Sequence, residues 1–219
     1  MIAIGRIYDA AFDRKLFPNL IQDLCVAFGA RAGFLGWSDL DRGGGFHAQH
    51  GSDPKWLQLY VERFAEIDVM RPHLQSLEEG ECSTAWALLQ TDEIRQSIFY
   101  REYLAPQGIV DNLAVNLVKR PDMGLFAHFA LLRHAPAEPF TQDDRQALTE
   151  LVPHLRRAVL IRSRLLDEGN RAAASRLLAG GGSDALLLLG PDGQVVDADA
   201  ELREWGGLRG RAPGATARR

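Results

Sequence analysis

Trp56, Tyr60, Asp68 and Trp86 are the residues of this chain best suited by type and spacing to hold a small molecule. Tryptophan and tyrosine join a large apolar body to a polar tip that wants a partner when buried. Asp68 can accept an N–H from a ligand, while Trp56 and Tyr60 can donate to ligand carbonyls. Phe64 extends the wall, because Trp56, Tyr60 and Phe64 at four-residue spacing fall within an arc of roughly 80° on a helix. His128 shares one face of an alternating segment with Phe126. The expected ligand-binding set is therefore Trp56, Tyr60, Phe64, Asp68, Trp86 and His128. The structural alternative is plain. Phe64 and Leu57 can be core stripe, Asp68 a loop residue paired with Arg71, and His128 a half-buried, hydrogen-bonded histidine.

Nothing in the sequence assembles a catalytic set, and the chain is not expected to be an enzyme. An enzyme would need converging titratable groups, and this region offers only Asp68 and His128. "DRGGGF" lacks the Lys-Ser/Thr of a phosphate-cradling loop, and no Gly-x-Ser-x-Gly elbow occurs. His47 and His50 lie on a strand-like segment that points them to opposite faces, so no metal site is expected. Cys25 sits on an apolar stripe, and two isolated cysteines make no disulfide framework. His134 and His154 read as surface residues. No cofactor is expected.

The 219 residues carry a formal net charge of −4, which argues against a whole-chain nucleic-acid binder. No apolar run approaches the roughly 20 residues of a bilayer span, and the start lacks the order of a secretory signal. The expected location is the cytoplasm.

The elements that must position these residues follow from periodicity. Leu16, Phe17, Leu20, Ile21, Leu24 and Phe28 make a helical stripe ended by Gly29. "RAGFLGWSDL" and "FHAQHG" read as a hairpin around "DLDRGGG". Ser52 or Asp53 caps a helix with Pro54 at its first position, ending before Pro72. "ECSTAWALLQ" is extended and then turns. Thr91 starts a further helix that runs to Pro106 and Gly108. "VDNLAVNLVKRPDMGLFAHFALLRH" is a second hairpin, with Leu113, Val115 and Leu117 opposite in direction to Ala114, Asn116 and Val118. Thr141 and Asp144 open a long helix with a capping box, and Pro153 inside it is expected to kink it. This order predicts an α+β fold, an antiparallel sheet with helices packed on it and a long C-terminal helix.

Residues 1–168 are expected to form the main domain and 169–183 a linker. Residues 184–219 would be the incomplete start of a second domain with a disordered tail. On the long helix, Leu155, Val159 and Leu166 keep a heptad-like seam and are the expected dimerisation residues. The arginines at 156, 157, 162, 164, 171 and 176 read as a solvated face.

The segments "IYDAAFDRKLFPNLIQDLCVAFGARAGFL", "FYREYLAPQGIVDNLAVNL" and "FTQDDRQALTELVPHLRRAVLIRSRL" resemble the N-terminal sensory region of LuxR-type transcriptional regulators. The resemblance spans about residues 5–166 and rests on "FYREYLAPQGI" and "LTELVPHLRRA" in that order. It implies a GAF-like fold, a homodimer, and DNA binding through a helix-turn-helix module that this sequence does not contain. The expectation is a truncated regulator or a sensor fragment, and 184–219 is similar to a PAS-type opening. Trp56, Tyr60, Asp68 and Trp86 stand in the order found in the acyl-homoserine-lactone binding branch of that family. Val69 departs from the proline that usually follows the aspartate there; Pro72 comes later. The ligand is left open between such a lactone, another small apolar or amphipathic molecule, and none. The other reading is a structural dimerisation module that binds no ligand.

Overall fold

The computed structural model describes the backbone of residues 3–39, 44–120, 125–179, 187–189 and 195–198, and side chains within these up to 165 except 39 and 44–46. The turns expected at 40–43 and 121–124 lie outside the described residues, as do the second-domain turn and everything past 198. The chain divides into two compact units, Met1–Ser163 and Arg164–Arg219.

The first unit is α+β and GAF-like. Its five-stranded antiparallel sheet has the order β2-β1-β5-β4-β3. The strands are β1 Ala32–Asp39, β2 Gly44–His50, β3 Cys82–Thr84, β4 Ile109–Arg120 and β5 Leu125–His134. The two expected hairpins form, β1 with β2 and β4 with β5, and β1 joins them by pairing with β5.

Alternation sorts the sheet into two faces. The first carries Leu35, Trp37, Leu113, Val115, Val118, Ala127, Phe129 and Leu131, all buried. The expected alternation in β4 fails at one place. The register slips between Asn116 and Val118, so Val118 pairs with Ala127. The bulge turns Val118 onto the core face, where it is 1% exposed; one inserted residue reverses every side chain that follows.

Helices α1 (Ile4–Phe12), α2 (Phe17–Ala27) and α7 (Gln142–Ala179) supply the apolar residues this face needs. Ile7, Phe17, Leu20, Ile21, Leu24, Leu148, Val152, Leu155 and Val159 are buried. The stripe expected to run through 12–16 breaks at Asp13, whose extended backbone and side chain cap a short 3₁₀ turn by accepting from Lys15 N. Gly29 closes α2 with a positive φ of 57°, which suits glycine. Thr141 and Asp144 form the expected capping box at α7: Asp144 N donates to Thr141 Oγ1, and Thr141 N donates to Asp144 Oδ2. Pro153 lies inside this helix.

Three expectations change here. Helix α7 continues through Gly169 to Ala179, so most of the expected linker is helical; its Ala, Leu and Arg residues are strong helix formers. Leu155 and Val159 are 2% and 1% exposed, so they serve the chain's own core and are closed to a partner; the side chain of Leu166 lies outside the described residues. His154 is half-buried and bonded to Tyr8 Oη at 3.0 Å, and His134 is half-buried at the end of β5. Cys25 is core, as expected, at 3% exposure.

In the second unit, Leu187–Leu189 (β6) and Val195–Ala198 (β7) pair as antiparallel strands.

Candidate ligand-binding site

The second face of the sheet carries Phe34, Gly36, His47, Phe126, His128, Ala130, Leu132, Asn112, Ala114 and Asn116. Part of it is covered by the chain between β2 and β4. Periodicity predicts one long helix over 54–71, but the structure breaks it. Helix α3 spans Pro54–Leu59, a π turn follows over Tyr60–Phe64, and a 3₁₀ turn over Ala65–Ile67. Asp68 is then extended, and α4 begins at Arg71 with Pro72 in its first turn. Pro72 thus starts a helix instead of stopping one, as its missing N–H permits. Asp53 caps α3 by accepting from Lys55 N at 2.9 Å.

The segment after β3 behaves alike. Trp86–Leu89 is a single helical turn, α5. The helix expected from Thr91 to Pro106 is interrupted at Ser97, where ψ is 149° after α6 (Asp92–Gln96). A second π turn, Tyr100–Leu104, and a 3₁₀ turn, Ala105–Gln107, complete it. Two π turns in facing segments are uncommon, and such turns recur at functional sites.

The two π turns carry the aromatic cluster. Tyr60 meets Phe99 and Tyr103 with ring centroids 6.4 and 5.6 Å apart. Phe64 lies 5.1 Å from Tyr103 and 6.1 Å from Phe99. Trp56 stands edge-on to Tyr103 at 5.8 Å. These are the separations of direct aromatic packing. Phe64 is fully buried; Trp56, Tyr60 and Tyr103 are half-buried. Leu132 of the sheet packs against the cluster, with Leu59, Val69 and Met70.

Tyr60 and Asp68 are joined directly: Tyr60 Oη donates to Asp68 Oδ2 at 2.8 Å. Asp68 Oδ1 accepts from Met70 N at 2.8 Å, which fixes the turn into α4. Burial, and then the Asp68 carboxylate, push the Tyr60 phenol up to about 12. The phenol therefore stays a donor across the physiological range.

The other two expected residues stand apart. Trp86 is 40% exposed on α5. His128 lies farther along β5, with its ring 5.4 Å from Phe34 and 5.5 Å from Phe126. Burial and the neighbouring His47 hold it down at about 4, so it is neutral near pH 7.

Three residues outside the expected set organise the site. Asp111 is fully buried. It accepts from Ala85 N (3.0 Å), Asn112 N (2.7 Å) and Phe140 N (3.0 Å). Burial raises its carboxyl above the usual range, although its backbone donors, Trp86 N among them, oppose the rise. It ties the start of α5 to the residue just before α7. Asn116, also fully buried, donates through Nδ2 to Leu74 O (2.8 Å) and Leu77 O (3.1 Å), which docks α4 on the sheet. Arg133 reaches Phe28 O, Pro139 O and Asp144 Oδ1 and lies over the Phe140 ring. Asp111 and Asn116 could have been suspected as polar residues inside the apolar β4 run, because burial demands partners for them.

Two open depressions lie away from Tyr60. One of about 380 Å³ is lined by Gln142, Arg145, Gln146, Thr149 and Glu150. Another of about 570 Å³ lies between the end of α2 and the end of β5, at Cys25, Gly29, Arg31 and His134. Among the described residues no group of three or more His, Cys, Asp or Glu is placed to hold a metal. No helix among them is long and apolar enough to cross a membrane.

No family model and no curated protein matches the chain; solved structures do. The LBD domain of VqsR from Pseudomonas aeruginosa superposes with a TM-score of 0.55 at 17% identity, covering 74% of this chain and 94% of that one. The N-acylhomoserine lactone dependent LuxR family transcription factor CepR2 from Burkholderia cenocepacia gives 0.53 at 18% identity, covering 74% and 95%. The GAF domain of the cyanobacteriochrome TePixJ gives 0.48 at 13% identity, covering 75% and 95%. At these identities the likeness is one of fold: the chain has the α+β fold of LuxR-type ligand-binding domains.

Proposed function

We propose that this chain is the ligand-sensing and dimerisation region of a LuxR-type transcriptional regulator, coupling a small molecule to a helix-turn-helix module on a longer protein. The observation that carries the reading is the Tyr60–Asp68 hydrogen bond, set among half-buried rings on two broken helices beside the sheet. A polar ligand head can exchange into that bond: its N–H replaces the phenol as donor to Asp68, and the freed phenol donates to a ligand carbonyl. Trp56 and Phe64 supply apolar wall. Trp86 joins the set by a movement of the short α5. CepR2, similar in fold, is N-acylhomoserine lactone dependent, and a molecule of that kind, with an amide head and an apolar tail, suits these groups.

Coupling follows from Asp111. Its carboxylate holds Ala85 N on the covering side and Phe140 N at the foot of α7. A displacement of α5 on ligand binding changes one end of this link, and α7 is biased between two arrangements as a population shift. Pro153 is the proposed bend point, and Pro153→Ala is expected to weaken signalling in the full-length regulator. Homodimer formation and a cytoplasmic location belong to the same proposal, the dimer contact using residues other than Leu155 and Val159.

One observation favours a second reading, a structural module without ligand. Tyr60, Phe64, Phe99 and Tyr103 pack on one another, which fills the space a ligand head would take. Native mass spectrometry of protein purified from its source separates the two. A dimer carrying a co-purified small molecule supports sensing, and a bare dimer supports the structural module.

A further inference from the structure

His47, Gly36, His128 and Asn116 form a single row across four strands of the sheet. Gly36 pairs with His47 on one side and with His128 on the other, and His128 pairs with Asn116. All four therefore lie on the second face, the one that carries the aromatic cluster at its other end. We propose that this row is a second polar subsite, which takes a neutral hydroxyl or carboxamide at the far end of the ligand whose first polar end sits at Tyr60 and Asp68. The inference rests on the sensor reading and extends it to the chemistry of the ligand.

Two unsatisfied atoms point to this site. Asn116 is fully buried, and its Nδ2 is committed to Leu74 O and Leu77 O. Its Oδ1 is buried and has no partner, and the same is true of His128 Nδ1 on the adjacent strand. Leaving a buried polar atom unmet costs about 1–3 kcal/mol, and here two occur at paired positions. The aromatic surroundings hold the histidine in place. Phe34 and Phe126 contact its ring, and Phe34 also lies 6.4 Å from His47. Gly36 is required beneath it, since a Cβ there would fall 2.6 Å from His128 Cε1. The row remains reachable, because His47 is exposed and Phe34, Phe126 and His128 are half-buried.

The chemistry of the two atoms selects the group. Asn116 offers only an acceptor. A neutral imidazole nitrogen either donates or accepts. A hydroxyl can donate to Asn116 Oδ1 while bonding His128 Nδ1, and a carboxamide can do likewise through its NH₂. A carboxylate would face an acceptor with no donor to spare for Asn116. Length is set by the strand. His128 lies four residues from Leu132, which packs on the Tyr60 cluster, a span of about 13 Å.

A matched pair of probes tests this. 10-Hydroxydecanamide and decanamide share the amide head and differ at the far end. Calorimetric titration of the whole chain is expected to show the hydroxyl probe binding on the order of tenfold more tightly, the effect of one well-placed hydrogen bond in a site built for it. The His128 imidazole ¹⁵N signals are expected to move only with that probe. In His128→Phe the preference should fall to within about twofold, with decanamide affinity retained. Equal binding of the two amides to the wild-type chain overturns the subsite, and that comparison needs no variant to fold. If both bind equally and Tyr60→Phe weakens both, the sensor reading stands and only the subsite is lost. If neither binds, both are lost.

Discussion

The two faces of the sheet are built on opposite plans. On the first face, Leu35, Leu113, Val115, Phe129 and Leu131 are at most 2% exposed, against continuous helices whose stripes are aliphatic. On the second, the covering chain is short and interrupted, its rings are half-buried, and Asn112, Asn116 and His128 each keep a buried polar atom without a partner. The first face is packed for stability. The second has features that a rigid core would not retain, since partly satisfied polar groups and broken helices weaken a fold. The contrast places rigidity and response on opposite sides of one sheet, joined by Asp111.

The contrast can be broken by substitution, and the largest effect is expected on the first face. Phe129→Ala should cost about 3–5 kcal/mol in chemical denaturation, because a fully buried ring leaves a cavity. A loss below about 1 kcal/mol would mean this face is not the core. Asp111→Asn should follow at about 3 kcal/mol, since one of its buried backbone donors then meets an amide instead of an acceptor. In a full-length regulator it should also uncouple ligand from response.

His128 sharpens the comparison by pH. Its folded value of about 4 lies below the unfolded 6.5, so the native state binds fewer protons between them. Its contribution is complete above pH 6.5 and is lost as pH falls toward 4. Wild-type stability should drop by about 2 kcal/mol between pH 7 and pH 5 from this group, and His128→Phe should not show that drop. Tyr60→Phe should cost only about 1 kcal/mol, because Asp68 keeps Met70 N. The smallest effect is expected at the thiols. Burial pushes Cys25 up to about 11 and raises Cys82, so neither should react with a thiol reagent faster than the chain unfolds.

Much of the first face can be read from the sequence. The stripe of α2, the capping box at Thr141 and the two hairpins follow from local periodicity and caps, which the packed core then keeps. The second face is harder to read because its decisive events are not periodic. A π turn changes the side-chain direction expected for Trp56, Tyr60 and Phe64 without any marker residue. The bulge beside Leu117 reverses Val118 although the apolar pattern looks continuous. The seam at Leu155 and Val159 misleads for a simpler reason. A heptad pattern states that one helix face is apolar, and the same pattern serves a sheet as well as a second helix. Asp111 and Arg133 bridge residues 26 and 105 positions away, a distance over which no local rule operates.

The central claim is that a small molecule enters between the second face and its broken helices and alters α7. Hydrogen-exchange mass spectrometry tests it most directly, on protein purified from its source and on the same protein after solvent extraction of bound molecules. The account predicts stronger protection of 54–76 and 98–107 in the purified form, a change at the start of α7, and no difference in β4 or β5. Identical exchange in the two forms, across every one of these segments, would contradict it.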